Sequence, residues 1–440
     1  MRLNNLQSWL SWQETLHSSE IELGLDRVRR VAGNMGIKAI WHMPVITVAG
    51  TNGKGSSVAM LEAIYQHAGY RVGSYTSPHL ISYNERIKID RQPVADEIIC
   101  QAFEKIDQAR KNKAADEISL TYFEFGTLAA LSILAEADLD VVILEVGLGG
   151  RLDAVNIIDA AVAMITPIAI DHQSWLGNSR DEIAKEKAGI IKSGALVVYN
   201  DADPARPVID KAHASQAPLY CLNKEFMAYM SSASGATKWR FKAGTVEIND
   251  LPVPLLEGNL GAAFQLDNAA ASILVSQLLS KRLPIKPTVY SQALADVKLA
   301  GRFQYVARKP DIILDVAHNT HAISSLAANL AGNPCKGRTY AVVAMLEDKA
   351  ICDALVQIDS LIDRYYLAGL QGSRTLSVEQ LQQRIQQCIS SDKLTCHQTV
   401  EAAIENALSV ASSDDRIIIF GSFVTVSAAM QWLSEPSSGD

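Results

Sequence analysis

Cysteine is sparse and scattered in this sequence. The six residues Cys100, Cys221, Cys335, Cys352, Cys388 and Cys396 include no CxxC pair. Neither a zinc site nor a disulfide framework is therefore expected, and isolated thiols suit a reducing cytoplasm. No apolar run is long enough to cross a bilayer. Residues 1–18 lack a basic start followed by an apolar stretch. Instead Leu6, Trp9, Leu10, Trp12 and Leu16 recur at helical spacing, which predicts an amphipathic helix rather than a secretion signal. Positive charge is in deficit, with 40 Lys and Arg against 48 Asp and Glu and a net charge of −8. That balance offers no general attraction to nucleic acid or to an anionic membrane, although one local cationic pocket could still hold an anionic substrate. The expectation is a soluble cytoplasmic protein. There is no internal repeat.

What is present is a long alternation of apolar runs and helical patterns. A chain of 440 residues exceeds the roughly 250–300 residues at which single cores stop growing, so two domains are expected. Val45–Ala49, Asp140–Val146 and Ala160–Thr166 are continuous apolar runs, as in parallel strands covered on both faces. Ser56–His67, Thr121–Ala137 and Ser179–Ile191 read as helices, the last with Ser179 and Glu182 at capping-box spacing. Residues 200–255 are turn-rich, and Trp239–Lys242 and Thr245–Ile248 suggest an antiparallel hairpin insertion. Helix returns over Asn259–Leu279. Residues 281–300, with Pro284 and Pro287, read as a linker. Beyond it Asp311–Val316, Thr339–Met345, Arg364–Leu370 and Arg416–Phe420 look like strands, with helices between them over Val378–Cys388 and Thr399–Ala411. The fold class expected is α/β. Residues 1–297 would form a nucleotide-binding domain with a mostly parallel sheet and a small antiparallel insertion. Residues 298–440 would form a smaller Rossmann-like α/β domain.

The strongest chemical signal is Gly50-Thr51-Asn52-Gly53-Lys54-Gly55-Ser56, set between a buried strand and a helix. Glycines allow backbone N–H groups to approach an anion with no Cβ in the way, and the helix N-terminus adds partial positive charge. Lys54 can reach outer phosphates and Ser56 can offer a hydroxyl to Mg²⁺. Gly55 separates Lys54 from Ser56, a departure from the common GxxxxGKS/T spacing. The context of strand, loop and helix favours phosphate binding over an ordinary turn with a surface lysine.

The string GTNGKGS, with its extra glycine, resembles the loop of the folylpolyglutamate synthases and their relatives the Mur ligases. Seven later segments resemble the folate enzymes in particular. They are Tyr75–Leu80 (YTSPHL), Asn84-Glu85-Arg86, Leu120–Gly126 (LTYFEFG), Glu145–Asp153 (EVGLGGRLD), Ala184–Ile191 (AKEKAGII), Ala300–Phe303 (AGRF) and Leu314–Asn319 (LDVAHN). The order matches that of the bifunctional dihydrofolate synthase/folylpolyglutamate synthases.

The resemblance implies a ligase that phosphorylates a carboxylate with ATP and lets the amine of L-glutamate displace the phosphate. Thr51, Asn52, Gly53, Lys54, Gly55 and Ser56 would hold the nucleotide, together with Asn268, Arg302 and Asp315 from later in the chain. Two Mg²⁺ ions are implied, one at Ser56 and one held by Ser77, Glu145 and His172. Lys187 matches a lysine that the family carbamylates, so Lys54, Lys187 and His172 become the expected catalytic residues. Glu22, Leu23, Gly24 and Leu25, with Thr121, Tyr122, Phe123, Glu124 and Leu152, match pterin-binding parts, and His318 would line the amino-acid site. Dihydropteroate, reduced folates and L-glutamate are the implied small-molecule partners of a monomer; whether K⁺ is also used stays open.

Each assignment competes with a plainer one. On pattern alone Lys185, Glu186 and Lys187 are a solvated helix face of mixed charge. His172 is a satisfied loop histidine, since imidazole is an unusual Mg²⁺ ligand. The Thr121–Glu124 aromatics are core at a helix start, and Asp315 is a structural pairing. Among whole-protein alternatives, a synthase with only the second activity stays close. A Mur-type ligase for a UDP-sugar is disfavoured by the roughly 45 residues before Gly50, too few for a domain of typical size. A nucleotide switch or transport ATPase would need no second α/β domain.

Overall fold

The computed structural model describes residues 5–37, 41–111, 117–230, 238–252, 263–372 and 375–434. The chain forms two compact units. The first takes in the chain to Ile168 and most of what lies between Leu176 and Val297; the second takes Lys298 onward together with the loop Ala169–Trp175.

In the first unit eight strands make one sheet. They are β1 (Val45–Ala49), β2 (Val72–Tyr75), β3 (Ile87–Ile89), β4 (Gln92–Pro93), β5 (Val141–Glu145), β6 (Val162–Ile165), β7 (Leu196–Tyr199) and β8 (Leu219–Cys221), in the order β4-β3-β2-β5-β1-β6-β7-β8. All pairings from β2 to β8 are parallel, and β3 and β4 add an antiparallel edge. Both β1 and β5 are buried along their whole length, which explains their unbroken apolar sequence. The helix Tyr122–Glu136 covers the sheet and begins with a capping box between Thr121 and Glu124. The amphipathic pattern near the start is a helix, Leu6–Leu16, which buries Leu6, Trp9 and Gln13.

A separate antiparallel sheet follows, β9 (Phe226–Met230), β10 (Lys238–Ala243) and β11 (Val246–Pro252), in the order β11-β10-β9. Here β10 alternates, with Trp239 and Phe241 buried and Lys238, Arg240 and Lys242 exposed, as a half-covered sheet requires. The insertion is shorter than the sequence suggested. Residues 200–222 include a helix, Arg206–Ala214, and β8, which extends the main sheet. The presumed start of the next helix at 259–262 lies outside the described residues, and the helix runs over Ala263–Leu278. The expected linker also holds structure, a helix over Pro287–Asp296. Pro287 stands in its first turn, where a missing N–H costs nothing. A proline taken as a breaker is a starter here.

The second unit has six strands, β12 (Gln304–Ala307), β13 (Asp311–Asp315), β14 (Thr339–Val343), β15 (Arg364–Ala368), β16 (Leu394–His397) and β17 (Arg416–Phe420), in the order β12-β13-β17-β14-β15-β16. All pair in parallel except the edge strand β12. The C-terminal ends of β13, β17 and β14 are neighbours, which places their following loops side by side. Cys352 and Cys388 are joined by a disulfide with Cα atoms 5.7 Å apart, a correction to the expectation of unpaired thiols. No described helix is long and apolar enough to cross a membrane.

Candidate active site

In the first unit the phosphate loop leaves β1 at the centre of the sheet, where parallel α/β sheets bind ligands. Gly50 has φ +151°, and a Cβ there would stand 1.8 Å from Thr166 Oγ1. Gly53, at φ +91°, precedes the helix Lys54–His67, so the helix starts two residues earlier than its apolar spacing indicated. The Lys54 ammonium donates to the carbonyl oxygens of Gly50 at 3.1 Å and Thr51 at 3.2 Å. Lys187 donates to the same Gly50 oxygen at 2.8 Å and is only 4% exposed. The solvated-face reading of Lys187 is therefore overturned: the helix Arg180–Lys187 turns this residue inward at its last position. Two cations meet one carbonyl. That arrangement has no evident role in stability and suits an anion.

Other expected residues gather round this loop. Glu145, 5% exposed, ends β5. Its Oε2 accepts the Ser77 backbone N–H at 3.4 Å and would lie 3.9 Å from a Cβ on Gly55. Ser56 is buried in the first turn of the loop's helix. Asn268 lies against the loop, since a Cβ on Gly53 would come 3.0 Å from its Oδ1, and it accepts from Asn200 Nδ2 at 2.9 Å. The structure thus brings together Lys54, Gly55, Ser56, Ser77, Glu145, Lys187 and Asn268. Asp153, which composition and spacing did not single out, accepts the N–H groups of Leu148 (2.8 Å) and Val155 (3.1 Å). Burial raises its carboxyl to about 6, against the lowering effect of those bonds and of Lys54.

The expected pterin segment forms a second group in the same unit. Tyr122 and Phe123 are half-buried, with ring centroids 5.9 Å from Tyr83 and 6.2 Å from Tyr75 respectively. The Arg86 guanidinium lies 5.6 Å from the Tyr122 ring centroid. Glu124 is occupied locally, closing the capping box with Thr121 and pairing with Arg27 Nη2 at 2.9 Å. Arg27 also holds Glu22, so it ties the Glu22–Leu25 segment to the helix start. Leu25 is core, whereas Leu23, Gly24 and Leu152 are half-buried. Arg27 was missed because an isolated arginine carries no spacing signal, and Arg86, quoted within Asn84-Glu85-Arg86, was given no role.

His172 belongs to the second unit. Its backbone is left-handed at φ +52°, and its Nδ1 is buried without a hydrogen-bond partner, 3.7 Å from Asp348 Oδ2. Burial pulls the imidazole down to about 4, so the ring is neutral near pH 7. A satisfied loop histidine would have a partner for that nitrogen; this one fits a metal ligand. Ligand atoms of Asp171, His172 and Asp348 lie within 4.8 Å of one another. Asp171 is nonetheless engaged, with Lys349 Nζ at 2.6 Å, Asn319 Nδ2 at 3.0 Å and His318 Nε2 at 3.3 Å. Burial would raise its carboxyl, but the bond and charge of His318, with His172 and Lys349, hold it far below the usual range.

On β13, Asp315 accepts the N–H groups of Phe303 and Ala317, each at 2.8 Å. Burial raises its carboxyl despite the Arg302 charge. Phe303 is left-handed at φ +47°, so Asp315 shapes the turn that carries Arg302. The Arg302 guanidinium stands 5.4 Å from the Phe423 ring centroid, and the His318 ring is 6.3 Å from it. Phe423, Asp348 and Lys349 were not anticipated. All three follow the C-terminal ends of buried strands, and reading those loops for charge would have found the last two.

A model of the Mur ligase middle domain matches residues 48–276, and one of the Mur ligase glutamate ligase domain matches residues 301–423. A dihydrofolate synthase/folylpolyglutamate synthase of Escherichia coli is 39% identical over 435 residues, spanning 99% of this chain and 97% of that protein. A protein of the same name from Haemophilus influenzae is 36% identical over 440 residues, spanning 96% of each. Among solved structures, the E. coli FolC complex with DHPP and ADP superposes with a TM-score of 0.89 at 38% identity, covering 98% of both chains. A bifunctional folylpolyglutamate synthase/dihydrofolate synthase with Mn, AMPPNP and L-glutamate bound gives 0.87 at 40% identity, covering 98% of this chain and 99% of that one. The chain belongs to the Mur ligase family, among its dihydrofolate synthases/folylpolyglutamate synthases.

Proposed function

We propose that this protein uses ATP to join L-glutamate to dihydropteroate and further glutamates to reduced folates. A carboxylate oxygen of the acceptor attacks the γ-phosphorus, and the bond to the ADP oxygen breaks. The glutamate amine then attacks the acyl carbon of the resulting acyl phosphate. Inorganic phosphate leaves with one oxygen of the former carboxylate, and the amine gives up a proton as the amide forms. A carboxylate is a poor electrophile, and phosphorylation supplies its leaving group.

The observation that carries this reading is the pair of ammonium groups, Lys54 and Lys187, on the Gly50 carbonyl at the start of a long helix. Charge that develops on transferred phosphate oxygens is stabilised by such fixed cations and N–H donors. Thr51, Asn52, Gly53, Gly55 and Ser56 would line the phosphates, with Asn268 beside Gly53. Arg302 offers bidentate donors to the nucleotide, and Asp315, each oxygen of which keeps a free lone pair, suits a hydroxyl. For divalent ions the first unit would offer the oxygens of Ser56, Ser77 and Glu145, and the second unit, taken by itself, the unpartnered Nδ1 of His172. Bound Mg²⁺ would offset phosphate charge. A carbamate on Lys187, which the family resemblance implies, would replace that ammonium with an anion and leave Lys54 to carry the positive charge at Gly50; native mass spectrometry with and without mild acid reads that adduct directly. Half-buried Tyr122 and Phe123 give a flat pterin aromatic surface, and His318 faces the amino acid.

Dihydropteroate labelled with ¹⁸O in its carboxylate tests the reaction. One labelled oxygen is expected in inorganic phosphate for each dihydrofolate formed. Amide formation with unlabelled phosphate would refute the acyl-phosphate route.

A further inference from the structure

Ile168 is the last residue of the first unit before the chain leaves it, and it lies in neither a strand nor a helix. It is buried, so its backbone groups need partners other than a sheet or helix ladder. One ion pair supplies both. The Ile168 N–H donates to Asp201 Oδ2 at 3.1 Å, and Arg180 Nε donates to the Ile168 carbonyl oxygen at 2.9 Å. Arg180 Nη2 donates to the same Asp201 Oδ2 at 2.9 Å, which closes a ring of three hydrogen bonds. The Asp201 side chain is 11% exposed, and its Oδ1 accepts the Asp203 N–H at 3.1 Å. Asp203 also accepts from Arg180, through its carboxylate at 3.0 Å and through its carbonyl oxygen. The Asp203 carboxylate is exposed, where an ion pair contributes little.

The ring reaches the phosphate loop through a single peptide group. The Pro167 carbonyl oxygen accepts the backbone N–H of Thr51 at 2.9 Å and that of Asn52 at 3.4 Å. This carbonyl and the Ile168 N–H belong to one planar peptide, and in a trans peptide they point in opposite directions. Asp201 therefore grips one edge of the plane while Thr51 and Asn52 hang from the other. Rotating the plane to free the Ile168 N–H would turn the Pro167 oxygen away from the loop. Arg180 also opens the helix Arg180–Lys187, whose last residue meets the Gly50 oxygen directly. The helix thus serves the loop from both of its ends.

We infer that Arg180 and Asp201 are positioning residues for the nucleotide's phosphates. They fix the peptide plane between Pro167 and Ile168, and that plane holds Thr51 and Asn52 in the shape from which the loop meets its ligand. Arginine suits the task because its rigid fork spans a carboxylate and a carbonyl at once, which a lysine ammonium on a flexible stem does not reproduce. The inference rests on the phosphate-binding reading above and adds two residues to it from outside the loop.

The full chain tests this with Arg180→Met, Arg180→Lys, Asp201→Ala and the Met/Ala double variant. Each is measured by calorimetric titration with ADP and Mg²⁺, by steady-state kinetics in ATP and in dihydropteroate, and by thermal unfolding. In Arg180→Met and Asp201→Ala, kcat/KM for ATP is expected to fall about 10- to 100-fold, the range reached when a binding group moves by about 1 Å. The ADP dissociation constant should rise with it, while KM for dihydropteroate stays at the wild-type value. Arg180→Lys keeps the charge without the fork and should fall between wild type and Arg180→Met; full recovery, or none, would count against the two-armed contact. In the double variant the loss should be smaller than the product of the single losses, because both substitutions act on one peptide plane. Full multiplication would overturn that single link. A merely structural pair would lower the unfolding temperature and leave the ADP dissociation constant unchanged, and that result refutes the inference. Should Asp201→Ala fail to fold, Arg180→Met alone decides, since Asp201 keeps the N–H groups of Ile168 and Asp203 in that variant. Wild-type protein that binds no ADP would instead sink the phosphate-binding reading.

Discussion

Replacing Gly50 with alanine should cripple the phosphate loop without unfolding the chain. The new Cβ would lie 1.8 Å from Thr166 Oγ1, 2.9 Å from Thr166 Cβ and 3.0 Å from the Thr166 carbonyl oxygen. Thr166 is fully buried, and its hydroxyl donates to the Ala49 carbonyl at 3.3 Å, so it cannot simply swing away. Overpacking of this kind costs about 1–3 kcal/mol, and the φ of +151° adds strain of about 1–3 kcal/mol for a residue with a Cβ. The loop relieves part of that cost by moving, and the Gly50 carbonyl moves with it. Lys54 and Lys187 both rest on that oxygen. If these ammonium groups act on the phosphates as proposed, a misplacement of about 1 Å is expected to lower kcat/KM about 100-fold. The assay is glutamate-dependent ADP release with dihydropteroate, paired with urea unfolding, where a loss of about 2 kcal/mol is expected. Thr166→Ala removes the 1.8 Å contact and leaves the one at 2.9 Å. The double variant should therefore recover part of the activity lost by Gly50→Ala. Wild-type kcat/KM and stability in Gly50→Ala would refute the reasoning outright.

Further outcomes follow from other sites. Asp315→Ala strips the acceptor from two backbone N–H groups, and at about 1–3 kcal/mol for each group it should lower the urea stability of the second unit by about 2–6 kcal/mol. Asp315→Asn, which keeps one acceptor oxygen, should lose less; equal losses would argue against the two-bond account. Asp153 has a folded value of about 6 against an ordinary 3.8. Its favourable contribution is complete below pH 3.8 and is lost as pH rises through 6. Above that the ionised form costs about 3 kcal/mol. The stability difference between wild type and Asp153→Asn should thus move by about 2 kcal/mol toward the variant from pH 4 to pH 7; a flat difference would contradict it. Tyr122→Ala should raise KM for dihydropteroate more than for reduced folates in product-formation assays, and equal changes would remove Tyr122 from the pterin site.

Much of this protein was legible residue by residue. The runs of β1, β5, β6, β13, β14 and β17 announced buried parallel strands, because a strand covered on both faces has no reason to alternate. The capping boxes at Thr121 and Ser179 were readable from a spacing of three. The phosphate loop was readable because its chemistry is contiguous, seven residues set between a strand and a helix. Short edge strands such as β12 and the helix Pro287–Asp296 were not, since four residues carry no period and a proline looks alike as a stop and as a start.

The amino-acid sequence by itself therefore determined the parallel sheets, the anion loop and its helix, and the list of side chains able to do chemistry. Tertiary structure alone decided which of them meet. Lys187 reaches Gly50 across 137 residues, Lys349 reaches Asp171 across 178, and Cys352 finds Cys388 across 36. Local motifs encode themselves in neighbouring φ/ψ and side-chain spacing, whereas these meetings depend on strand order. A strand inserted between two others moves whole loops about 5 Å sideways while leaving every local pattern unchanged.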